Sequence, residues 1–163
     1  MKKKISQDYD FCEHFYVVLI TFRQSDYHQL AWSLNHHLKV DFRKMADLMV
    51  YYPKKGESLP HNLYGWSSPN AINYFLITSP EKTNSLSSET FLLIEKRERK
   101  ETVDHFIEKA ASSEFIFSVE EISLDKPATT PKQKQRVEQL CNIAIDMEER
   151  FDTFSKRKTT DFL

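Results

Sequence analysis

An uninterrupted apolar run, Phe15 to Phe22, limits the folds that are open to this chain of 163 residues. The run is rich in aromatic and β-branched side chains and shows no alternation with polar ones, which predicts a strand covered on both faces. It is much shorter than the roughly 18 apolar residues that a membrane span needs. We therefore place this strand at the centre of a sheet and expect no contact with a membrane.

Apolar periodicity along the rest of the chain predicts three helices and four more strands. Apolar stripes with spacings of three and four residues mark helices at about 26–38 and 102–111, and Thr102 is the expected cap of the second. Thr130 followed by Pro131 is typical of a helix start, and this third helix should run to about residue 154. The further predicted strands are 48–52, 72–78, 90–95 and 115–122.

These elements follow one another as β-α-β-β-β-α-β-α, without an internal repeat or a shift in composition. The order predicts an α+β fold: a single domain with a five-stranded, mostly antiparallel sheet and two βα units. We expect a ferredoxin-like or split-βαβ variant with its helices on one face, plus a long C-terminal helix. Residues 1–125 are assigned to the α+β domain, 126–155 to the C-terminal helix and 156–163 to a basic disordered tail.

The third helix carries apolar residues whose spacing alternates between three and four positions, as in a coiled-coil seam. These residues are Val137, Leu140, Ala144, Met147, Phe151 and Phe154. Two interpretations stay open. The helix packs on the sheet or on the other helices, or it forms a seam with a partner helix or with a second copy of the chain. A homodimer through the 137–154 helix is the second case, and exposure of Met147 and Phe151 would favour it.

Glycine is scarce, and its scarcity excludes several enzyme classes. The chain has two glycines, Gly56 and Gly65. A P-loop needs two glycines five positions apart followed by lysine, and the dinucleotide-binding fingerprint needs three glycines, so neither motif is present. The net charge of -1 provides no overall attraction for phosphate or anionic lipid.

Histidine and cysteine spacing favours neither a metal site nor a thiol enzyme. His28 and His36 would lie about 12 Å apart along a helix, too far to share one zinc ion. Cys12 and Cys141 form no C-x-x-C pair, which indicates reduced thiols. The basic start 2–4 is followed by acidic residues rather than by an export segment. We predict a cytoplasmic protein with no cofactor, no metal and no catalytic residue.

Three regions carry candidate binding residues, each with a structural alternative. Segment 53–70 has aromatic side chains without periodicity, which predicts a loop that either recognises a partner or connects two strands and packs its tryptophan. Trp32 and Asn35 on the second face of the first helix either anchor an interface or cover the edge of the sheet. The basic cluster 96–100 either contacts phosphates or forms a solvated turn.

Several motifs follow one another in an order that carries a family resemblance. They are Asp8-Tyr9-Asp10-Phe11, Asp26-Tyr27-x-x-Leu30-x-Trp32-x-Leu34-Asn35-x-x-Leu38, Asp47-Leu48 and Tyr74-Phe75-Leu76-Ile77. Over about residues 8–125 the chain resembles the bacterial family named after its I-P-E-x-x-x-V-D-Y signature. The resemblance implies a cytoplasmic housekeeping context and, through gene neighbours that include ribonuclease III, a link to RNA processing. It implies no activity and no catalytic residue.

The leading functional prediction is a non-enzymatic protein-interaction module. An accessory RNA-binding factor is the alternative, and an enzyme of unknown class is the third hypothesis. The expected partner is therefore a protein, with RNA as the alternative partner. The candidate binding residues are Asp26, Tyr27, Trp32, Asn35, His61, Tyr64, Trp66, Lys96, Arg97, Arg99, Met147 and Phe151.

Overall fold

The computed structural model describes residues 14–23, 27–78, 87–123 and 129–160; the side chains of residues 27, 28, 87 and 148–160 lie outside this description. The strands are β1 Phe15–Arg23, β2 Arg43–Tyr52, β3 Glu57–Ser67, β4 Asn73–Thr78, β5 Ser87–Glu95 and β6 Ile116–Ile122. The helices are α1 Tyr27–Leu38, α2 Lys100–Ala111 and α3 Pro131–Thr160.

The six strands form one open antiparallel sheet with the order β2-β3-β4-β5-β1-β6. β1 lies between β5 and β6, so it is an interior strand. Val18 and Ile20 point to one face of the sheet, and Val17 and Leu19 to the other; none of these side chains is more than 3% exposed. The α+β class and the burial of β1 on both faces are therefore confirmed.

A helical layer covers each face of the sheet. α1 and α2 pack on the first face through Leu30, Ala31, Leu34, Leu38, Val103, Phe106 and Ala110. α3 packs on the opposite face through Leu140, Ile143, Ala144 and Met147. The two helices of the βα units, α1 and α2, lie on one face as expected, and α3 covers the other face because both faces of the central strands are apolar and each needs a cover. Two interpretations of α3 were open: packing on the fold, or a seam with a partner helix. The part of the helix up to Met147 packs on the sheet, as the first interpretation expects.

The prediction of five strands was wrong, because part of segment 53–70 is the strand β3 and not a loop. β3 pairs with β2 from Glu57 to Gly65 and with β4 from Leu63 to Ser67. Pro60 is tolerated in β3 because no strand hydrogen bond is required of its nitrogen. Tyr51 donates its N–H to Asp146 on α3, so its peptide groups point away from β3. Peptide groups alternate along a strand, so those of Met49, two residues earlier, also point away from β3. Pro60 lies opposite Met49, and its nitrogen therefore points away from β2 at a level where β4 does not pair.

Gly65 leaves room for the Met45 side chain beside an irregularity in the pairing of β2 with β3. The register of β2 on β3 shifts between Met45 and Leu48. A Cβ atom on Gly65 would lie 2.6 Å from the sulfur of Met45, so a larger residue there forces the Met45 side chain to move. The glycine in this strand thus marks an irregular position rather than a loop.

The ferredoxin-like arrangement is not confirmed. That arrangement places a two-stranded hairpin between its two helices, whereas β2 to β5 form a four-stranded antiparallel meander between α1 and α2. Two helix boundaries also differ from the expectation. α2 begins at Lys100, so Thr102 lies inside its first turn and does not cap it. α3 continues to Thr160, so residues 156–160 of the predicted tail are helical.

Replacement of Ile143 by alanine should lower the free energy of unfolding by about 2–5 kcal/mol, because this side chain is fully buried between α3 and the sheet. Urea unfolding of the purified protein measures the loss. Lys134→Ala, at an exposed position of the same helix, is the control and should change stability by no more than about 0.5 kcal/mol. A midpoint that rises with protein concentration would contradict packing of α3 on its own sheet.

Candidate functional site

The outer side of α1 presents a solvent-exposed tryptophan. The Trp32 side chain is 68% exposed. Its ring stacks on the ring of His36 one turn later, with centroids 5.3 Å apart and an angle of 3° between the planes. Leu30 and Leu34 point to the opposite side of the helix and are 1% exposed. We call Trp32 and His36 together the Trp32 surface.

Polar side chains on both flanks of α1 fix how the helix lies on the sheet. The Asn35 side chain accepts the N–H of Phe42 at 2.7 Å and donates to the carbonyl of the same residue at 3.0 Å, which ties the end of α1 to the start of β2. On the other flank, His37 Nε2 lies 3.0 Å from the Lys109 carbonyl at the end of α2. Asn35, a predicted binding residue, therefore already uses its amide within the fold, and Trp32 is left facing solvent.

Two other predicted residues of the first helix add nothing to this geometry. Asp26 lies outside the described residues. Tyr27 is the first residue of α1, and its side chain also lies outside them. A contribution of either side chain to the Trp32 surface stays a prediction.

His61 lies on β3, buried beneath α3. Its Nδ1 is 2.6 Å from the Thr78 carbonyl, which only accepts, so Nδ1 carries the hydrogen. In the neutral ring Nε2 is then the acceptor, and it receives the Tyr52 hydroxyl at 2.6 Å. Burial lowers the pKa of His61 and outweighs the opposing effects of the Thr78 carbonyl and of Asp146. With both ring nitrogens engaged, this histidine offers no free nitrogen to a metal or a substrate.

Tyr64 and Trp66, predicted with His61 as one binding segment, point to the other face of the sheet because they occupy the alternate positions of β3. Tyr64 is 3% exposed, and Trp66 is partly buried against the same core. The Trp66 ring contacts Phe42 and Tyr74, with centroids 6.1 and 4.7 Å away. The structure therefore does not bring His61, Tyr64 and Trp66 together. Trp66 packs for stability, as the structural alternative expects.

The predicted basic cluster forms the turn between β5 and α2, and most of its cations contact carboxylates. Arg97 donates to the Ala71 carbonyl at 2.7 Å and to Glu95 at 3.1 Å. Arg99 lies 3.4 Å from Glu101. The ammonium of Lys96 lies 5.6 Å from the centre of the Tyr16 ring. These cations are therefore engaged with neighbouring side chains, so phosphates would have to compete for them.

Two buried carboxylates hold this turn against the neighbouring strands. Glu95, 8% exposed, accepts the N–H of Asn73 at 2.6 Å as well as Arg97. Glu98, also 8% exposed, accepts the Tyr74 hydroxyl at 2.5 Å. Burial and the adjacent Glu98 carboxylate raise the pKa of Tyr74, so its hydroxyl stays a donor. These hydrogen bonds hold the turn against β4, so it has little freedom to change its conformation for a ligand.

The two predicted residues of the α3 seam have different outcomes. Met147 is 2% exposed and belongs to the core under the sheet, so it is not available for a partner. Phe151 lies in the helical part of α3, but its side chain is outside the described residues.

Sequence reasoning missed the partners of His61. Tyr52 was considered only as the end of a strand, and Asp146 was not considered at all. Asp146 is 8% exposed and accepts the N–H of Tyr51 at 3.1 Å. Asp146 lies three positions after the fully buried Ile143, so the two side chains share one side of α3, and an acidic residue at such a position is a detectable signal because a buried carboxylate must find a donor.

Within the described ranges, no group of three or more histidine, cysteine or acidic side chains could hold a metal ion. None of the helices there combines the length and the apolar character that crossing a bilayer requires. No protein-family model, curated protein or solved structure matches this chain. The geometry of its own residues must therefore carry the functional inference.

Stability should fall in mild acid because of His61. Its folded-state pKa is lowered, so the neutral ring stabilises the fold above the unfolded value of about 6.5, and this contribution is lost as the pH falls below it. The measurement is urea unfolding of the wild type and His61→Gln at pH 7.5, 6.5, 5.5 and 4.5. We expect the stability gap between the two proteins to narrow towards low pH.

The control for this titration is His105→Gln, which changes an exposed histidine on α2. Its stability difference from the wild type should show no comparable narrowing. A gap for His61→Gln that stays constant over the same pH range would contradict a neutral buried ring.

Proposed function

We propose that this protein is a non-enzymatic interaction module that binds a protein partner through the Trp32 surface. The observation that carries the proposal is a tryptophan at 68% exposure whose ring is held by stacking on His36. Tryptophan is the residue type most enriched at the energetic centres of protein interfaces. An exposed indole on a helix needs a reason, because the solvent-facing side of a helix is usually polar.

Pre-organisation of this surface supports the same proposal. α1 is fixed below by Leu30 and Leu34 and at its end by the Asn35 hydrogen bonds to Phe42. Because these contacts anchor α1 in the fold, binding at the Trp32 surface needs no ordering of the helix itself.

The candidate residues of segment 53–70 and Met147 on α3 are less exposed than Trp32. Tyr64 and Met147 are buried, and His61 has both ring nitrogens occupied. A homodimer through the 137–154 helix now depends on the part of the helix after Met147, and it remains a proposal. The resemblance to the family with the I-P-E-x-x-x-V-D-Y signature and a cytoplasmic location are likewise proposals.

The RNA-binding alternative would use Lys96, Arg97 and Arg99. Arg97 is paired with the buried Glu95, which weakens its attraction for a phosphate, whereas the exposed pair of Arg99 and Glu101 contributes little. The contacts of this turn therefore favour the interaction module over the RNA-binding factor.

The test is affinity purification of the tagged protein from its own cells, with and without ribonuclease, followed by mass spectrometry. A near-stoichiometric partner should survive the nuclease and should be lost with Trp32→Ala. Removal of an interface anchor costs about 2 kcal/mol or more, which corresponds to a roughly thirtyfold weaker complex. Fold stability should change little, because the side chain is exposed.

Met49→Ala is the matched control, since Met49 is another large apolar side chain at 51% exposure, on β2. It should retain the partner. Equal recovery with Trp32→Ala and the wild type would refute the Trp32 surface as the binding site. Loss of all partners after nuclease treatment would instead support the RNA-binding factor.

A further inference from the structure

The two edges of the sheet differ in how they are protected. At the β2 edge, the outward N–H of Tyr51 donates to Asp146 on α3, and Lys54 after the strand forms an ion pair with Glu138 on the same helix at 3.0 Å. The register shift between Met45 and Leu48 also interrupts this edge. Helix contacts, charges and an irregularity are the usual means by which proteins prevent strand addition.

At the other edge, hydrogen bonding identifies the peptide groups of β6 that face outward. The His14 carbonyl accepts from Lys96 next to β5, and the N–H of Arg23 donates to Phe115 next to β6. Because peptide groups alternate along a strand, odd-numbered residues of β1 bond towards β6. Their partners on β6 are Ser118, Glu120 and Ile122. Val119 and Glu121 consequently turn their N–H and C=O groups away from β1, and no strand of the described ranges pairs with that side.

The charged side chains of β6 and its flanking residues are all acidic. Residues 114–123 include Glu114, Glu120 and Glu121 and contain no lysine, arginine or histidine. Glu121 is paired with Lys100 on α2. Glu120 is exposed and lies in the middle of the edge strand. A strand added beside β6 would place a side chain close to Glu120, and opposite charges in such cross-strand pairs are stabilising.

An exposed aromatic ring stands at the beginning of the same edge. Phe117 is the extra residue at the irregularity between β6 and β1, and its ring is 54% exposed. The Arg23 guanidinium lies 5.9 Å from the ring centre. A peptide that extends along β6 therefore meets an apolar contact at one end and an acidic residue at the middle.

We propose that β6 is a docking edge for a basic, extended segment of a partner protein, which adds to the sheet as a further strand. Main-chain bonds to Val119 and Glu121 would hold the segment, and lysine or arginine opposite Glu120 would give it selectivity. A second copy of the chain fits less well, because antiparallel self-pairing would bring acidic residues of two β6 strands together. This edge is a second surface, formed by other residues than the Trp32 surface.

The first test is hydrogen exchange of the full-length protein, read residue by residue by NMR. The probe is a capped seven-residue peptide of alternating lysine and valine. A peptide with proline at the central position serves as the control. In the protein alone, the amides of Val119 and Glu121 should exchange at least tenfold faster than those of Ser118 and Glu120. The lysine–valine peptide should slow the exchange of the first pair at least tenfold, and the proline peptide should not.

Two results of this test would overturn the proposal. One is protection of Val119 and Glu121 in the protein alone, which would show that the edge is already covered. The other is unchanged exchange of these amides at saturating peptide.

Charge reversal gives an independent test. Glu120→Lys should weaken binding of the lysine–valine peptide roughly fivefold or more and should create binding of the matching glutamate–valine peptide. Glu108→Lys, the same charge change at an exposed position of α2, is the control and should leave the affinity within twofold. Equal effects of both variants would mean a general charge effect and would refute docking at β6. Trp32→Ala should leave peptide binding unchanged.

Discussion

Val18 and Ile20 on one face of β1 pack with α1 and α2, while Val17 and Leu19 on the other face lie in the core beneath α3. Each such side chain stabilises the fold by about 1.5–3 kcal/mol when it leaves water. Neither layer of helices is dispensable, because removing one would expose a complete row of these residues. α1 must therefore lie on its face of the sheet with Leu30 and Leu34 inward, and this position leaves Trp32 on the side of the helix that faces solvent.

Buried carboxylates then fix the elements that the apolar layers position only approximately. Asp146 joins α3 to the edge of β2, Glu95 joins the start of β4 to the end of β5, and Glu98 receives the hydroxyl of Tyr74. Each of these acids has a defined donor, as buried charge requires. Apolar contacts tolerate sliding, whereas these directional bonds select one register and one turn conformation.

The sequence predicted the parts of the fold in which a single periodicity dominates. β1 was recognisable from its continuous apolar run, and α1 from its stripe of Leu30, Leu34 and Leu38. β3 was missed because Pro60 and Gly65 are typical of loops. Pro60 is tolerated because β4 pairs with β3 only from Leu63 onward, and Gly65 is required by the nearby side chain of Met45. Neither neighbour is visible in the local sequence. The position of α3 on the second face also depends on tertiary packing, which a heptad-like spacing alone does not decide.

Some candidate binding residues could likewise be placed from the sequence, whereas the surroundings of others could not. Helical geometry was enough to place Trp32 away from the apolar stripe of α1. The surroundings of His61 were not accessible, because its partners Tyr52, Thr78 and Asp146 come from three different elements. The basic turn was recognisable by composition, but the carboxylates that engage its arginines were visible only once the strands were paired.

The neighbours of β1 also determine when the protein can complete its fold during synthesis. β1 is made before both of its partners, since Val17 pairs with Leu93 on one side and with Ile122 on the other. At about 5–20 residues per second, the ribosome needs roughly 5–20 s to add the intervening stretch of about 100 residues. β1 has no strand partner in the nascent chain until β5 has been made, and its β6 side stays unpaired to the end of the interval. Such a segment is a natural substrate for chaperones that hold emerging chains.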